Sequence, residues 1–320
     1  MRTRAGHRNV RPGHVLLVLL IYGGLLTGML VMACRLDAMR EVDVSVVETS
    51  GTLDQAIVSY GGQTYVRRGS VSVYLLLGLD DQSPRCADYA LALVVDEDRR
   101  TMQCLPIAPE TLVPLAGEAE DVAVRLSTGG ITGGLEESRR AFAEQVALLL
   151  RAEPDGTMAF EMRAIPTLND ALGGVEITAL QDWSALDEAL VPGASVRLSG
   201  TLADRFVRSL LTEDGAGSTE RMKRQRVYVA AAAAALQEHL RADAGYLDTL
   251  LDALSGSFSS SLSRSALASL AYRLRDYKLL PDLTIPGTYG TDASGVCVFE
   301  PDGEALWKLV LDVLYEPQTL

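Results

Sequence analysis

Apolar residues along this chain fall into three kinds of block, and each kind predicts an element. Val15–Ala33 is nineteen residues without a charge, about the length of a helix that crosses a bilayer. Val71–Leu77, Ala90–Val95 and Met102–Ile107 are short, nearly continuous apolar runs separated by polar breaks, as expected for strands buried on both faces. Elsewhere the apolar residues recur at helical spacing. Leu135, Phe142, Val146 and Leu149 mark a helix ending near Arg151, and Leu202, Phe206 and Leu210 mark one that Ser199 caps, running to about Leu211. Met222, Val229, Ala233, Leu236 and Leu240 read as the buried stripe of a long helix over Thr219–Ala242, capped by Ser218.

Weaker signals fill the gaps. Ile57–Tyr60 and Thr64–Val66 flank Gly61-Gly62 and predict a hairpin leading into the first core strand. Phe160–Ile165 and Val175–Thr178 read as strands, with a short helix between them that opens at Pro166 and stops at Gly173-Gly174. Two more amphipathic helices are expected near 263–276 and 303–315. Strands alternating with helices, without a second break in composition, predict a single α/β domain outside the membrane.

Charge orients that domain. Residues 1–14 hold Arg2, Arg4, Arg8 and Arg11 and no acid, which puts the N-terminus in the cytoplasm and the bulk of the chain outside the cell membrane. The expected division is a cytoplasmic tail (1–14), a transmembrane anchor (15–33), a juxtamembrane linker and hairpin (34–70) and the main domain (71–320). A cleaved signal peptide is the alternative, but the apolar run is long for one and no A-x-A site follows. Lipid attachment at Cys34 would require a lipobox that Val-Met-Ala fits poorly. The net charge of −13 excludes a general nucleic-acid binder, which needs a basic footprint. Four cysteines lack metal-like spacing, and only three histidines are present, so a His-based zinc site or a His-dependent triad is excluded. Carboxylates, arginines and a hard metal remain. A disulfide is chemically permitted outside the membrane, and nothing in the spacing of Cys86 and Cys104 decides whether they pair.

Two charged stretches could carry chemistry. Asp80, Asp81 and Asp88 lie in the break between the first two core strands, just after Gly78. They offer the oxygen ligands Mg2+ prefers, one or two carboxylates with water and phosphate completing the shell; a solvated acidic turn is the plainer reading. The second stretch is basic. Arg221, Lys223, Arg224 and Arg226 crowd the first turns of the long helix, where the helix dipole already disfavours cations by a few tenths of a kcal/mol, roughly, for each one. Arg221, Arg224, Gln225 and Tyr228 share one helical face. A helix N-terminus with two arginines on one side is a phosphate-binding arrangement, unless Glu213, Asp214 and Glu220 merely neutralise the patch. Arg208, one loop earlier, could close a triangle of guanidinium groups around a pyrophosphate.

The order of motifs resembles the LytR–CpsA–Psr family of bacterial envelope proteins, from about residue 42 to 316. After the anchor come LLLGLD (Leu75–Asp80), an aspartate eight residues on (Asp88) and PIAPET (Pro106–Thr111). LNDALGGV (Leu168–Val175), LSG…FVR (Leu198–Arg208), ERMKRQ (Glu220–Gln225) and a late IPG (Ile285–Gly287) follow. The resemblance implies one extracytoplasmic α-β-α domain with a central mixed sheet. It also implies transfer of an anionic glycopolymer from an undecaprenyl-pyrophosphate carrier to peptidoglycan, with Mg2+. Asp80 and Asp88 match the metal-linked aspartates, and Arg208, Arg221, Arg224 and Gln225 the pyrophosphate-binding set. Asp88 and Arg208 are the residues expected to act on the reacting phosphate, and the polyprenyl tail would need an apolar groove.

The chain also departs from the family pattern. Family arginines are replaced by Gln82, Cys86, Pro109 and Leu210, and the aspartate of the SIPRD-like motif is Glu110. Losing one charge-stabilising donor typically costs about 10²–10³ in rate, so losing several demands a substitute; Arg85, Arg125 and Lys223 are the candidates. Two readings follow: a divergent ligase, or a catalytically impaired relative that binds the lipid-linked intermediate or wall polymer as a scaffold or regulator.

Overall fold

The computed structural model describes residues 57–318 apart from 83, 115–122, 129–132, 244–245 and 275–276. The expected tail, anchor and the first part of the linker lie outside the described residues. Among the described residues no helix is long and apolar enough to cross a membrane.

The chain enters through the expected hairpin, β1 (Ile57–Tyr60) and β2 (Gln63–Arg67), turned by Gly61 and Gly62 with φ of 59° and 79°. Such left-handed φ values suit glycine, which has no Cβ to clash. The three apolar runs form the antiparallel meander β3 (Val71–Leu79), β4 (Ala87–Asp96) and β5 (Thr101–Ile107). A small hairpin, β6 (Leu112–Pro114) with β7 (Ala123–Arg125), precedes α1 (Leu135–Leu150). Then come β8 (Gly156–Glu161), a 3-10 turn over Met162–Ala164, and α2 (Ile165–Ala171). The strand expected at Phe160–Ile165 is therefore shifted. It ends at Glu161, where the chain turns through Met162–Ala164 into α2, whose first turn carries Pro166.

The ribbon β9 (Val175–Thr178) and β10 (Ser195–Leu198) leads to α3 (Gly200–Arg208), capped as expected by Ser199, which accepts from Leu202 N–H at 3.3 Å. The long helix α4 (Gly215–Ala242) starts before its expected cap: Asp214 Oδ1 accepts from Gly217 N–H at 2.8 Å. A Cβ on Gly217 would lie 1.9 Å from the Thr212 carbonyl oxygen, so only glycine allows that close turn. The rest is α5 (Tyr246–Ala253), β11 (Phe258–Ser260), α6 (Arg264–Leu274), β12 (Lys278–Leu279), the hairpin β13 (Gly287–Thr291) with β14 (Cys297–Pro301), α7 (Gly303–Leu314) and β15 (Tyr315–Pro317).

Six strands form the central sheet in the order β11-β8-β3-β4-β5-β12. β3 pairs with β8 and β5 with β12 in parallel, and the other pairs are antiparallel, so the sheet is mixed. Alternation along β3 and β4 sends Val73, Leu75, Leu77, Ala92 and Val94 to one face, beneath α1 and α7. Tyr74, Leu76, Tyr89, Leu91 and Leu93 go to the other, beneath α2 to α6. Full burial of a leucine such as Leu75 or Leu77 contributes roughly 1.5–3 kcal/mol. Cys86, Cys104 and Cys297 are all free thiols, so the permitted Cys86–Cys104 disulfide does not form.

Candidate functional site

The acidic break between β3 and β4 is a pinned hairpin loop. Asp80 N–H donates to Cys86 O at 2.9 Å, and Asp80 Oδ1 accepts from Cys86 N–H at 2.8 Å. Arg85 locks the loop from behind, donating to the Asp80 carbonyl at 2.7 Å and to Glu161 Oε1 at 2.7 Å. Gly78 permits the approach, since a Cβ there would lie 2.5 Å from Met162 Sδ and 2.9 Å from Tyr89 Cβ. The pairing register slips between Gly78 and Leu79, and this bulge helps set Asp80 and Asp88 at the same end of the strand pair.

Asp88 Oδ2 lies 3.3 Å from Arg208 Nε. Burial pushes the Asp88 carboxyl above the usual carboxylate range; Arg208 and Arg221 oppose that shift, and the nearby Asp80 carboxylate adds to it. Two carboxylates near enough to repel each other, one partly desolvated, suit a Mg2+ ion held by one or two acids with phosphate completing its shell. Among the described residues no group of three or more metal-ligating side chains is gathered.

The first turns of α4 supply the cationic wall. Arg221 is buried and ion-paired with Glu110 at 2.8 Å, and Ser218 Oγ donates to the other oxygen of the same carboxylate. Arg224 is wholly buried; its Nε donates to Phe206 O at 2.8 Å and its Nη2 to Ser209 O. It thus satisfies carbonyls at the open end of α3. Burial pulls its guanidinium down to about 10, with Glu220 opposing the shift and Arg221 adding to it. Gln225 Nε2 donates to Asp88 O at 3.1 Å and Val207 O at 3.3 Å. Two buried guanidinium nitrogens, Arg221 Nε and Arg224 Nη1, have no hydrogen-bond partner among the described residues.

The expected stripe is corrected in part: Leu236 is buried as expected, Met222 and Val229 are not, and the side chains of Ala233 and Leu240 lie outside the described residues. The buried side of α4 runs through Arg221, Arg224, Gln225, Tyr228, Ala232 and Leu236, while Met222 and Val229 are half-buried flanks. Beyond Gln225 and Tyr228 the same face borders an apolar cavity whose empty space, counted out to its open mouth, is about 820 Å³. Leu76 and Tyr89 form its floor, with Met162 and Leu168 on one side and Ala232 and Leu250 on others. A lining that is almost wholly apolar, with Gln225 leading from it towards Asp88 and Val207, suits an amphiphile.

Of the residues singled out in the sequence, Asp80, Asp88, Arg208, Arg221 and Gln225 converge on this end of the sheet. Arg224 joins the same helix face, but two of its nitrogens are turned to backbone carbonyls. Of the candidate substitutes, Arg85 is committed to Glu161 and Lys223 to Glu220, at 2.7 and 2.6 Å. The roles of Glu110 and Ser218 as an anchor for Arg221 were not foreseen. Nor was α5, although Leu250, Leu251 and Leu254 carry the i, i+1, i+4 spacing of a buried helix edge.

A mixed sheet between two helical layers, with an apolar cavity ending in a carboxylate–guanidinium cluster, defines the class of domain. A sequence model of the LytR_cpsA_psr family matches residues 42–311. The chain belongs to that family. Among solved structures it is similar to Bacillus subtilis TagV, at 18% identity and a TM-score of 0.60 over 77% of this chain and 98% of that one. It is similar to a structure of TagT bound to LI-WTA, at 16% identity and a TM-score of 0.59 over 77% and 91%. The Lin1025 protein from Listeria innocua aligns at 18% identity and 0.56 over 77% and 99%. These likenesses establish the fold. A comparison with curated proteins returns no match.

Proposed function

We propose that this protein transfers an anionic glycopolymer from an undecaprenyl-pyrophosphate carrier to peptidoglycan, on the outer face of the cell membrane, tethered by the Val15–Ala33 span. Family membership supports cell-wall glycopolymer transfer, and the fold is shared with TagT, solved bound to LI-WTA and to LIIa-WTA. The observation that carries the reading is the junction at Gln225: an apolar cavity on one side, and Asp88, Arg208 and Arg221 on the other. A polyprenyl diphosphate has that polarity, a hydrocarbon tail with an anionic head.

In this reading the tail occupies the cavity and the pyrophosphate lies against Arg208, with the buried charges of Arg221 and Arg224 behind it. Phosphoryl transfer calls mainly for positioned cations that take up charge on the transferring group. A peptidoglycan sugar hydroxyl attacks the glycopolymer-linked phosphorus; the new P–O bond makes a phosphodiester, the diphosphate bridge breaks, and undecaprenyl phosphate leaves. Asp88 receives the hydroxyl proton, and Arg208 holds that carboxylate in place. Mg2+ held by Asp80 and Asp88 would neutralise phosphate charge when bound. The scaffold reading keeps one specific support: Gln82, Cys86, Pro109 and Leu210 offer no guanidinium where the family pattern has one.

A transfer assay with a short saccharide on a lipid pyrophosphate separates the two. Turnover by the wild type that Asp88→Ala abolishes is the expected outcome. Binding of the lipid without transfer by the wild type would leave the scaffold reading in its place.

A further inference from the structure

The cations around the cleft divide by what already holds them. Arg208 faces Asp88, Arg221 is bound by Glu110, Arg85 by Glu161, Lys223 by Glu220 and Arg226 by Asp282. Arg224 is turned to the carbonyls of Phe206 and Ser209. Arg125 differs from all of these. It is half-buried at the end of β7, and among the described residues no hydrogen bond or ion pair engages its guanidinium.

The backbone fixes where Arg125 sits. It lies opposite Leu112 in the β6–β7 pair. Just past it, Leu126 N–H donates to Thr111 O at 2.8 Å and Ser127 N–H to Pro109 O at 2.7 Å. The Arg125 segment is thus laced along Pro109–Leu112, the stretch that carries Glu110, the partner of Arg221. Leu126 is fully buried in the core beneath α1, which leaves its neighbour Arg125 turned away from that core. The Arg125 charge reaches the Cys86 thiol, beside Asp80, and also Cys297 and Asp292. Phe299 N–H of β14 donates to Glu110 O at 2.9 Å on the same stretch, so Arg125 stands near β14 as well, with the acidic loop within reach of its charge.

We propose that Arg125 is a pyrophosphate-binding cation of this cleft, supplying the charge that Gln82, Cys86 and Pro109 lack. The proposal rests on the polyprenyl-pyrophosphate reading above. Arg125 is half-buried and feels the Asp292 carboxylate only at long range, without an ion pair among the described residues, so an anion that reaches it gains a charge-assisted contact. The other two candidate substitutes are ion-paired; among the described residues this one is not.

The test is calorimetric titration of the full chain, with Mg2+, using geranyl diphosphate and geraniol as probes. Arg125→Gln, Arg125→Lys and, as a control on exposed α1, Arg140→Gln are compared with wild type. A charge-assisted contact predicts that Arg125→Gln weakens geranyl diphosphate by roughly 10- to 100-fold, with geraniol unchanged, Arg125→Lys recovering part of the loss, and Arg140→Gln behaving as wild type. If wild type prefers the diphosphate and Arg125→Gln does so equally, the proposal is overturned while the reading of the cleft stands. Equal loss of diphosphate and geraniol would make Arg125 a structural residue and also overturn it. A wild type that does not favour the diphosphate over the alcohol defeats the reading of the cleft, and this proposal with it.

Discussion

The two faces of the central sheet are built from the same strands yet finished in opposite ways. Beneath α1 and α7, Val73, Leu75, Leu77 and Val94 pack with Phe142, Val146 and Val310 into an apolar core with only a small gap by Val313. Beneath α2, α4 and α5 the helices stand off the sheet and leave a cavity that ends in buried arginines. Burying Arg224 and Arg221 is expensive unless each nitrogen is satisfied, and two of their nitrogens are not. One face is finished for stability. The other keeps unfilled space and unspent hydrogen bonds, which a stability-only design would eliminate.

The largest expected effect tests the charged end of the open face. Glu110 is buried and holds both Arg221 and Ser218, so Glu110→Ala leaves a buried cation without its partner. The expected loss is about 3–5 kcal/mol in urea denaturation. A loss of less than about 1 kcal/mol, the scale of a solvated surface pair, would mean that water reaches Arg221 and that the two faces differ less in burial than described.

The next effect compares neighbours in one strand. Leu75 is fully buried on the closed face, and Leu76 borders the cavity on the open one. Leu75→Ala creates a new void and is expected to cost about 3 kcal/mol or more, whereas Leu76→Ala enlarges an existing one and loses fewer contacts, about 1–2 kcal/mol. Equal losses would erase the distinction.

How much of this the sequence disclosed follows the same division. The meander was legible because Val71–Leu77, Ala90–Val95 and Met102–Ile107 are continuously apolar, and burial on both faces leaves no other economical arrangement. The Gly61-Gly62 hairpin and the Gly173-Gly174 stop were legible because φ values of 59–86° demand glycine. Asp80, Asp88, Arg208 and Arg221 were legible because their motifs resemble those of a known family. The buried face of α4 was misjudged: a hydrophobicity rule assigns burial to Met222 and Val229 and cannot anticipate that Arg224 is enclosed by carbonyls at the end of α3. The pairing of Glu110 with Arg221 spans 111 positions, a separation at which no local pattern speaks. The cavity was inferable only as a need of the lipid tail, since empty space leaves no mark on a single chain's periodicity.

The smallest effect on stability is the sharpest probe of the open face. Ala232 is buried and borders the cavity. Placing a phenylalanine there in a filled core would cost about 1–3 kcal/mol through overpacking. In a face with standing empty space the ring has somewhere to go, so Ala232→Phe should change stability by less than about 1 kcal/mol. It should nevertheless weaken geranyl diphosphate by about tenfold or more, since loss of burial for two or more methylene groups, at about 0.8 kcal/mol each, is enough. Inorganic pyrophosphate, which needs only the charged end, should bind as before. A destabilised Ala232→Phe protein would mean that the cavity closes in solution; unchanged prenyl binding would mean that the tail lies elsewhere, and either result would remove the contrast between the faces.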